Sequence, residues 1–254
     1  MKALITGASS GFGWDMAHVL SEMGYDIIAV ARREERLLKL KNELKTDVEV
    51  VVCDVSDVEQ CKNLAKLADD VDIFINNAGF GVFGDICSTD LDAELNMIDT
   101  NIKAVHILTK EVAKKFKEKN SGHILNVASV AAFFPGPLFS SYYASKAYVL
   151  RLSQAVSVEL KKAGSAVKIS VLCPGPVHTE FNAVANATYK SGKNKTHKIT
   201  SRYVAELAIR KMLEGKEIIV PGFGTKIAIF FRRLVSEKTM SKIVYLVQQK
   251  RIAK

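Results

Sequence analysis

The run Tyr142-Tyr143-Ala144-Ser145-Lys146 sets a phenol and an ammonium four residues apart, a spacing that puts both on one face of a helix. A free tyrosine, with a pKa of about 10, is only about 0.1% ionised near neutrality. A lysine cation about 4 Å away, at an effective dielectric near 20, stabilises the phenolate by ~4 kcal/mol, or about three pKa units. The pair is therefore expected to bring Tyr142 to the working pH, where general acid–base catalysis is most efficient. Tyr189 and Lys193 repeat the spacing. Gly192 and the polar residues around it disfavour the helix that the geometry needs, so Tyr142 is the candidate. Tyr143 is followed at position 147 by Ala and is expected to pack.

A second feature able to do chemistry lies near the start of the chain. Thr6-Gly7-Ala8-Ser9-Ser10-Gly11-Phe12-Gly13 separates the apolar run at 3–6 from a helical pattern at 12–23. At a strand-to-helix turn, glycines allow positive φ and let backbone amides approach a pyrophosphate, whose charge the helix N-terminus stabilises.

Both features need a scaffold, and the rest of the pattern supplies one. Apolar runs at 3–6, 26–31, 48–53, 71–75, 123–127, 168–172 and 217–220 alternate with helical patterns at 12–23, 33–44, 58–68, from 91, 102–119, 143–163 and 202–213. Strands separated by helix-length segments are βαβ units. Runs such as Ile27-Ile28-Ala29-Val30 and Val50-Val51-Val52 lack polar alternation, which implies burial on both faces. The expected fold is α/β: a Rossmann-like, doubly wound, seven-stranded parallel sheet with helices on both faces. It forms a single domain, with residues 1–224 as the dinucleotide-binding catalytic part and 225–254 as a C-terminal helical tail of the same domain.

Thr6-Gly7 through Gly13, with its G-x-x-x-G-x-G spacing, is followed by Asn76-Asn77-Ala78-Gly79 and by Tyr142-x-x-x-Lys146. Together these motifs resemble the short-chain dehydrogenase/reductase family in its single-domain form, from Lys2 to about Gly222. The resemblance implies a nicotinamide-dinucleotide oxidoreductase in which Tyr142 exchanges a proton with the substrate oxygen as hydride moves. Ser129, thirteen residues before Tyr142, matches the serine that hydrogen-bonds the substrate oxygen. Asn101 matches a fourth catalytic position, anchoring a water that relays protons to Lys146, which also holds the nicotinamide ribose. Gly7, Ser9, Ser10, Gly11, Phe12 and Gly13 are then the cofactor turn, Asp54 and Val55 the adenine contacts, and Asn77, Ala78 and Gly79 the adenine-side ribose wall. Asn76 and Asn77 serve equally well as structural ties between strands. Pro174, Gly175, Val177 and Thr179 match the turn beside the nicotinamide, and His178 falls in a variable place within it.

After the second strand the chain reads Ala31-Arg32-Arg33, with no carboxylate in the turn where the generic dinucleotide fold places one for the ribose 2′-OH of NAD. Guanidinium forks suit bidentate capture of a 2′-phosphate. Arg32 and Arg33, supported by Ser9, therefore point to NADP(H). Phe80, Phe83, Phe133, Phe134, Pro135, Leu138, Phe139 and Phe181 are expected around the pocket or in the core, and they favour an apolar ketone or alcohol: acyl, steroid-like or aromatic. A basic loop at about 180–200, with Lys190, Lys193, Lys195 and Lys198, occupies the place of the family's substrate-covering segment.

Composition narrows the classes further. The 254 residues, 48% hydrophobic and 25% charged, lie in the ordinary globular range. The net charge of +9 is concentrated in the tail, where residues 225–254 hold eight Lys or Arg against Glu237 alone. No basic groove with interleaved aromatics argues for nucleic acid. Gly7 to Gly13 interrupts the first apolar run, leaving no signal-peptide core and implying a cytoplasmic protein. Cys53, Cys61, Cys87 and Cys173 form no metal or disulfide pattern and are expected as small buried hydrophobes. The tail could close over the site, join subunits or lie on an anionic membrane, the last not being favoured; by analogy the chain is a homodimer or homotetramer. The competing readings are a dinucleotide-binding regulatory or scaffold protein without turnover and a nucleotide-sugar epimerase.

Overall fold

Seven strands form among the described residues, 1–177 and 199–252 of this computed structural model. In chain order the elements are β1 (Lys2–Thr6), α1 (Gly11–Glu22), β2 (Asp26–Ala31), α2 (Glu34–Glu43), β3 (Val48–Val52), α3 (Val58–Lys66) and β4 (Ile73–Asn76). Then come α4 (Leu91–Ile98), a π-helical turn (Asp99–Ala104), α5 (Val105–Glu118), β5 (His123–Val127), a 3₁₀ turn (Val130–Phe133), α6 (Ser140–Lys162) and β6 (Lys168–Leu172). The chain ends with α7 (Ser201–Leu213), β7 (Ile218–Ile219), α8 (Phe223–Phe231), a second 3₁₀ turn (Arg232–Leu234) and α9 (Glu237–Ile252).

Every strand pairs in parallel, in the order β3-β2-β1-β4-β5-β6-β7. Strand side chains alternate between faces, so the unbroken apolar runs must find cover on both. On one face Ile27, Ala29 and Ala31 of β2 join Met16 and Leu20 of α1 and Val204 and Ile209 of α7. On the other, Ile28 and Val30 join Cys61 and Leu64 of α3 with Leu108 and Val112 of α5. Neither layer is complete alone. Full burial of one such side chain stabilises the fold by about 1.5–3 kcal/mol, so an unpaired polar group in these runs would weaken a layer; those that occur, such as Asn126 and Ser170, are hydrogen-bonded.

β1 passes to β2 on one side and neighbours β4 on the other, which makes the β1/β4 boundary the switch point of the sheet. In doubly wound sheets the crevice forms there, beyond the carboxyl ends of the strands. Three local details differ from the sequence expectation. β7 is shorter than 217–220, the helix expected from 102 begins at Val105 behind a π turn, and α6 starts at Ser140 rather than 143. Cys53, Cys61 and Cys173 are buried as expected, whereas Cys87 is exposed, because it sits in a loop held by Asp85. Among the described residues no helix is long and apolar enough to cross a membrane.

Candidate active site

The glycine turn is built by contacts that side chains would forbid. Gly7 has φ +67°, and a Cβ added there would lie 2.9 Å from Ala78 Cα. A Cβ on Gly13 would lie 2.4 Å from the Gly7 carbonyl oxygen, so α1 can begin close beneath the turn only with glycine at this place. Ser10 caps α1 without a side-chain hydrogen bond to it, and the first turn carries no acidic residue. The positive end of the helix is thus directed at the turn.

Thr6 joins this turn to the other half of the site. Its hydroxyl accepts from the backbone amides of Asn77 (2.9 Å) and Ala78 (3.1 Å), and Asn77 Nδ2 donates back to the Thr6 and Gly7 carbonyls at 3.0 and 3.2 Å. Asn76, 2% exposed, donates to the Val105 carbonyl at 3.4 Å. Of the two readings left open for these asparagines, the structural tie is visible in both. The role of Thr6 was missed, although a hydroxyl closing an apolar strand is a signal that the sequence displays.

A cleft of about 430 Å³ opens over this boundary. Its wall includes Gly7, Ser9, Ser10, Gly11, Phe12, Arg32, Arg33, Asp54, Val55, Asn77, Ala78 and Gly79 on one side, and Ser129, Tyr142, Lys146, Pro174, Gly175 and Val177 on the other. Gly13 supports the turn from below. Thr179, His178, Phe181 and the loop with Tyr189, Lys190, Lys193, Lys195 and Lys198 lie outside the described residues.

Arg33 Nη2 donates to Ser9 Oγ at 3.1 Å, so a guanidinium and a hydroxyl converge on the cleft wall. Arg32 faces Asp54 at 3.6 Å. Burial raises the Asp54 carboxyl, but hydrogen bonds from the Ser56 amide and hydroxyl, with the Arg32 charge, outweigh it and hold Asp54 below the usual carboxylate range.

β5, the 3₁₀ turn and α6 bring Ser129, Tyr142 and Lys146 together. Ser129 ends the segment after β5, and its Oγ accepts from the Ala131 amide at 3.1 Å, fixing the side chain. The Tyr142 phenol is hydrogen-bonded with Ser129. Phe139 stacks on the Tyr142 ring, with centroids 4.4 Å apart and planes at 18°. Lys146, one turn further along α6, donates to the Val127 carbonyl at 3.1 Å and holds its Nζ 5.8 Å from the Tyr142 ring centre.

Electrostatics at this group correct one expectation. Burial disfavours the phenolate strongly enough to push Tyr142 well above the ordinary tyrosine value, with Ser129 opposing, so Lys146 does not draw it down to neutral pH. Burial also lowers Lys146, to about 8. Both groups sit in the same desolvated pocket, which penalises either charge. Tyr142 is consequently a protonated phenol near neutrality. Cys173 beneath Ser129 is pushed up to about 12 by burial and remains a thiol.

Asn101 stands behind the cleft wall, fully buried. Its Nδ2 donates to the Phe80 carbonyl (2.8 Å) and to Ser145 Oγ (3.1 Å), and its Oδ1 accepts from the Phe80 amide (3.1 Å). The π turn at Asp99–Ala104 aims it there, the kind of local distortion that recurs at functional sites. A Cβ on Gly79 would lie 2.8 Å from Asn101 Oδ1 and 3.2 Å from Lys146 Nζ, so glycine keeps these two polar atoms accessible to each other.

Of the apolar residues expected around the site, Phe80, Phe83 and Phe139 line the cleft. Phe133 instead packs against the cluster of Val105, Val149 and Leu150, and Phe134, Pro135 and Leu138 are outside the lining. A contact missing from the sequence reading comes from the tail: Gln248 of α9, 1% exposed, donates to Tyr143 Oη at 2.7 Å. Gln248→Ala removes that buried partner and is expected to lower stability by about 1–3 kcal/mol. Urea unfolding of the variant beside the parent checks this, and an unchanged midpoint would show that α9 does not stabilise the site.

Residues 1–190 match the short chain dehydrogenase family profile. The chain belongs to this family. An uncharacterised oxidoreductase of Staphylococcus aureus strain USA300 is 32% identical over 223 residues, covering 86% of this chain and 93% of the relative. A 3-oxoacyl-(acyl-carrier-protein) reductase of Rickettsia prowazekii is 33% identical over 187 residues, 72% of this chain and 76% of that one. Among solved structures, a short-chain dehydrogenase from Sphingobium yanoikuyae in complex with NADPH superposes with a TM-score of 0.80 at 26% identity, covering 92% of this chain and 93% of that one. A family member from Burkholderia phymatum in complex with NAD gives 0.82 at 25%, with 91% and 92% covered. The short-chain dehydrogenase architecture, a seven-stranded parallel sheet flanked by helices, is the one described above.

Proposed function

We propose that this short-chain dehydrogenase is an NADP(H)-dependent reductase of apolar ketones or aldehydes, in which Tyr142 is the general acid. The observation that carries the reading is the meeting, in one cleft, of the glycine turn with a buried Tyr142 phenol that is hydrogen-bonded with Ser129 and neighboured by Lys146. A dinucleotide fits the cradle, because added Cβ atoms at Gly7 and Gly13 would collide with its floor and the start of α1 is directed at it. Gly7, Ser9, Ser10, Gly11 and Phe12 would hold the pyrophosphate side, Asp54 and Val55 the adenine, and Asn77, Ala78, Gly79 and Lys146 the riboses. Pro174, Gly175, Val177 and Thr179 would hold the nicotinamide. The bound cofactor supplies hydride to the carbonyl carbon.

Ser129 donates to the substrate oxygen and orients it toward Tyr142, and Tyr142 gives that oxygen its proton as negative charge develops on it. Lys146, protonated below about 8, stabilises the phenolate left behind. Asn101, through a relay across the gap at Gly79, serves to return the proton. Phe80, Phe83 and Phe139 exclude water from the substrate end, which strengthens each of these electrostatic interactions. Residues 1–224 carry all of this machinery, and 225–254 extend the same domain.

NADP(H) preference rests on the convergence of Arg33 with Ser9 and on the absence of a carboxylate in the turn after β2. Losing a charge-assisted contact costs on the order of 1.5–3 kcal/mol. Arg33→Ala is therefore expected to weaken NADPH binding roughly tenfold or more while leaving NADH nearly unaffected, as read by fluorescence titration. Equal affinities for the two nucleotides in the unaltered protein would overturn this assignment. Following NADPH oxidation over a panel of ketones, aldehydes and 3-oxoacyl thioesters tests the substrate class.

A further inference from the structure

The tail holds an apolar surface that the reaction does not use. Along α8 and the turn after it, Phe223 (78% exposed), Ile227 (41%), Phe230 (62%), Phe231 (55%) and Leu234 (73%) face outward. Their positions i, i+4, i+7, i+8 and i+11 fall on one side of a helix. No residue of α8 is buried. The half-buried Thr225, Ile229 and Arg232 occupy the opposite side. Phe230 and Phe231 meet edge to face at 5.6 Å, so they form one continuous surface. On α9, Ile243, Leu246 and Val247 form a second exposed group, while Met240 and Gln248 anchor that helix inward.

Charge frames the stripe. Lys226 and Arg233 are exposed beside it, and Lys238 and Lys242 are exposed on α9. The single acid of residues 225–254, Glu237, is paired with Arg232 at 3.2 Å. Exposed apolar patches of this kind mark interaction surfaces, and the sign of the rim selects the partner. A second copy would bring the same basic rim against this one, and like charges across an interface are unfavourable. Anionic phospholipid headgroups complement the rim while their acyl boundary takes the aromatic stripe.

We propose that α8 and α9 dock this protein peripherally on anionic phospholipid surfaces, with Phe223, Ile227, Phe230, Phe231 and Leu234 entering the acyl boundary and Lys226 and Arg233 at headgroup level. No described helix can span a bilayer, so the contact lies in the plane of the interface. The docking is independent of which carbonyl compound the enzyme reduces.

The test uses the full chain and cosedimentation with mixed phosphatidylcholine–phosphatidylglycerol vesicles, with pure phosphatidylcholine as the uncharged control. Binding to the anionic vesicles is expected, weak on the neutral ones, and largely abolished at about 1 M salt, where screening acts within about 3 Å. The double variant Phe230→Asp/Phe231→Asp alters exposed residues only and should keep NADPH binding and the circular-dichroism spectrum. Its vesicle partition should fall roughly a hundredfold, since each aromatic removed from the boundary accounts for about tenfold or more. Lys226→Glu/Arg233→Glu should weaken partition to anionic vesicles only. Absence of binding to anionic vesicles at low salt, or partition unchanged by the phenylalanine pair, would overturn the proposal. So would conversion of a larger oligomer to a smaller one by that pair without vesicle binding, which would make the stripe a contact between copies.

Discussion

Tyr142→Phe is expected to lower kcat for carbonyl reduction by about 10²–10⁴-fold, the range lost when a positioned acid is removed, while NADPH affinity stays within a few-fold of the parent. The ring keeps its stacking on Phe139, so the fold and the cleft wall should be unchanged. Only the hydroxyl that is hydrogen-bonded with Ser129 disappears. Single-turnover measurement with NADPH and a ketone that the parent reduces separates chemistry from binding. Near-normal turnover would remove Tyr142 from the mechanism, and a parallel loss of NADPH binding would make its role architectural.

The second large effect concerns pH. Burial lowers Lys146 from its ordinary value of 10.5 to about 8, so the cation is present below that pH and lost above it. A phenolate left by proton donation needs this cation. For reduction, kcat/KM should therefore hold at lower pH and fall about tenfold per unit above 8, since kcat/KM reports groups of the free enzyme. Lys146→Met should flatten that limb. It should also lower the rate, because the phenolate left by proton donation loses its neighbouring cation. If Lys146→Met keeps the falling limb, another group titrates there.

The sheet was legible in the sequence because parallel strands buried on both faces leave predominantly apolar runs, and β1, β2, β5 and β6 fall within a residue of the expected bounds. Tyr142 and Lys146 were legible together because a helix converts four residues of spacing into one face. The decoy pair Tyr189 and Lys193 lies outside the described residues, so only the argument from Gly192 separates the two. Burial was harder to foresee. The Coulomb argument assigned Lys146 the power to lower Tyr142, yet the pocket that hides both from water opposes either charge, and no spacing rule reveals the depth of a pocket. The π turn at Asn101 was also invisible, since Asp99-Thr100-Asn101-Ile102 reads as ordinary helix start. So was the Gln248–Tyr143 contact, which spans more than a hundred positions of chain and depends on how α9 folds back.

The Thr6 hydroxyl spans the β1/β4 boundary on which the cleft is built. Thr6 Oγ1 takes the Asn77 and Ala78 amides and lies 3.4 Å from the Ile75 carbonyl, to which it donates. The glycine turn rides on the β1 side of that seam, while Asn77, Ala78 and, beside Lys146, Gly79 ride on the β4 side. A rivet at this place ties the end of β1 to the segment that follows β4, which sets the spacing between the glycine turn and Asn77, Ala78 and Gly79. The spacing of the two banks is thus a property of the sheet itself, set when β1 and β4 pair.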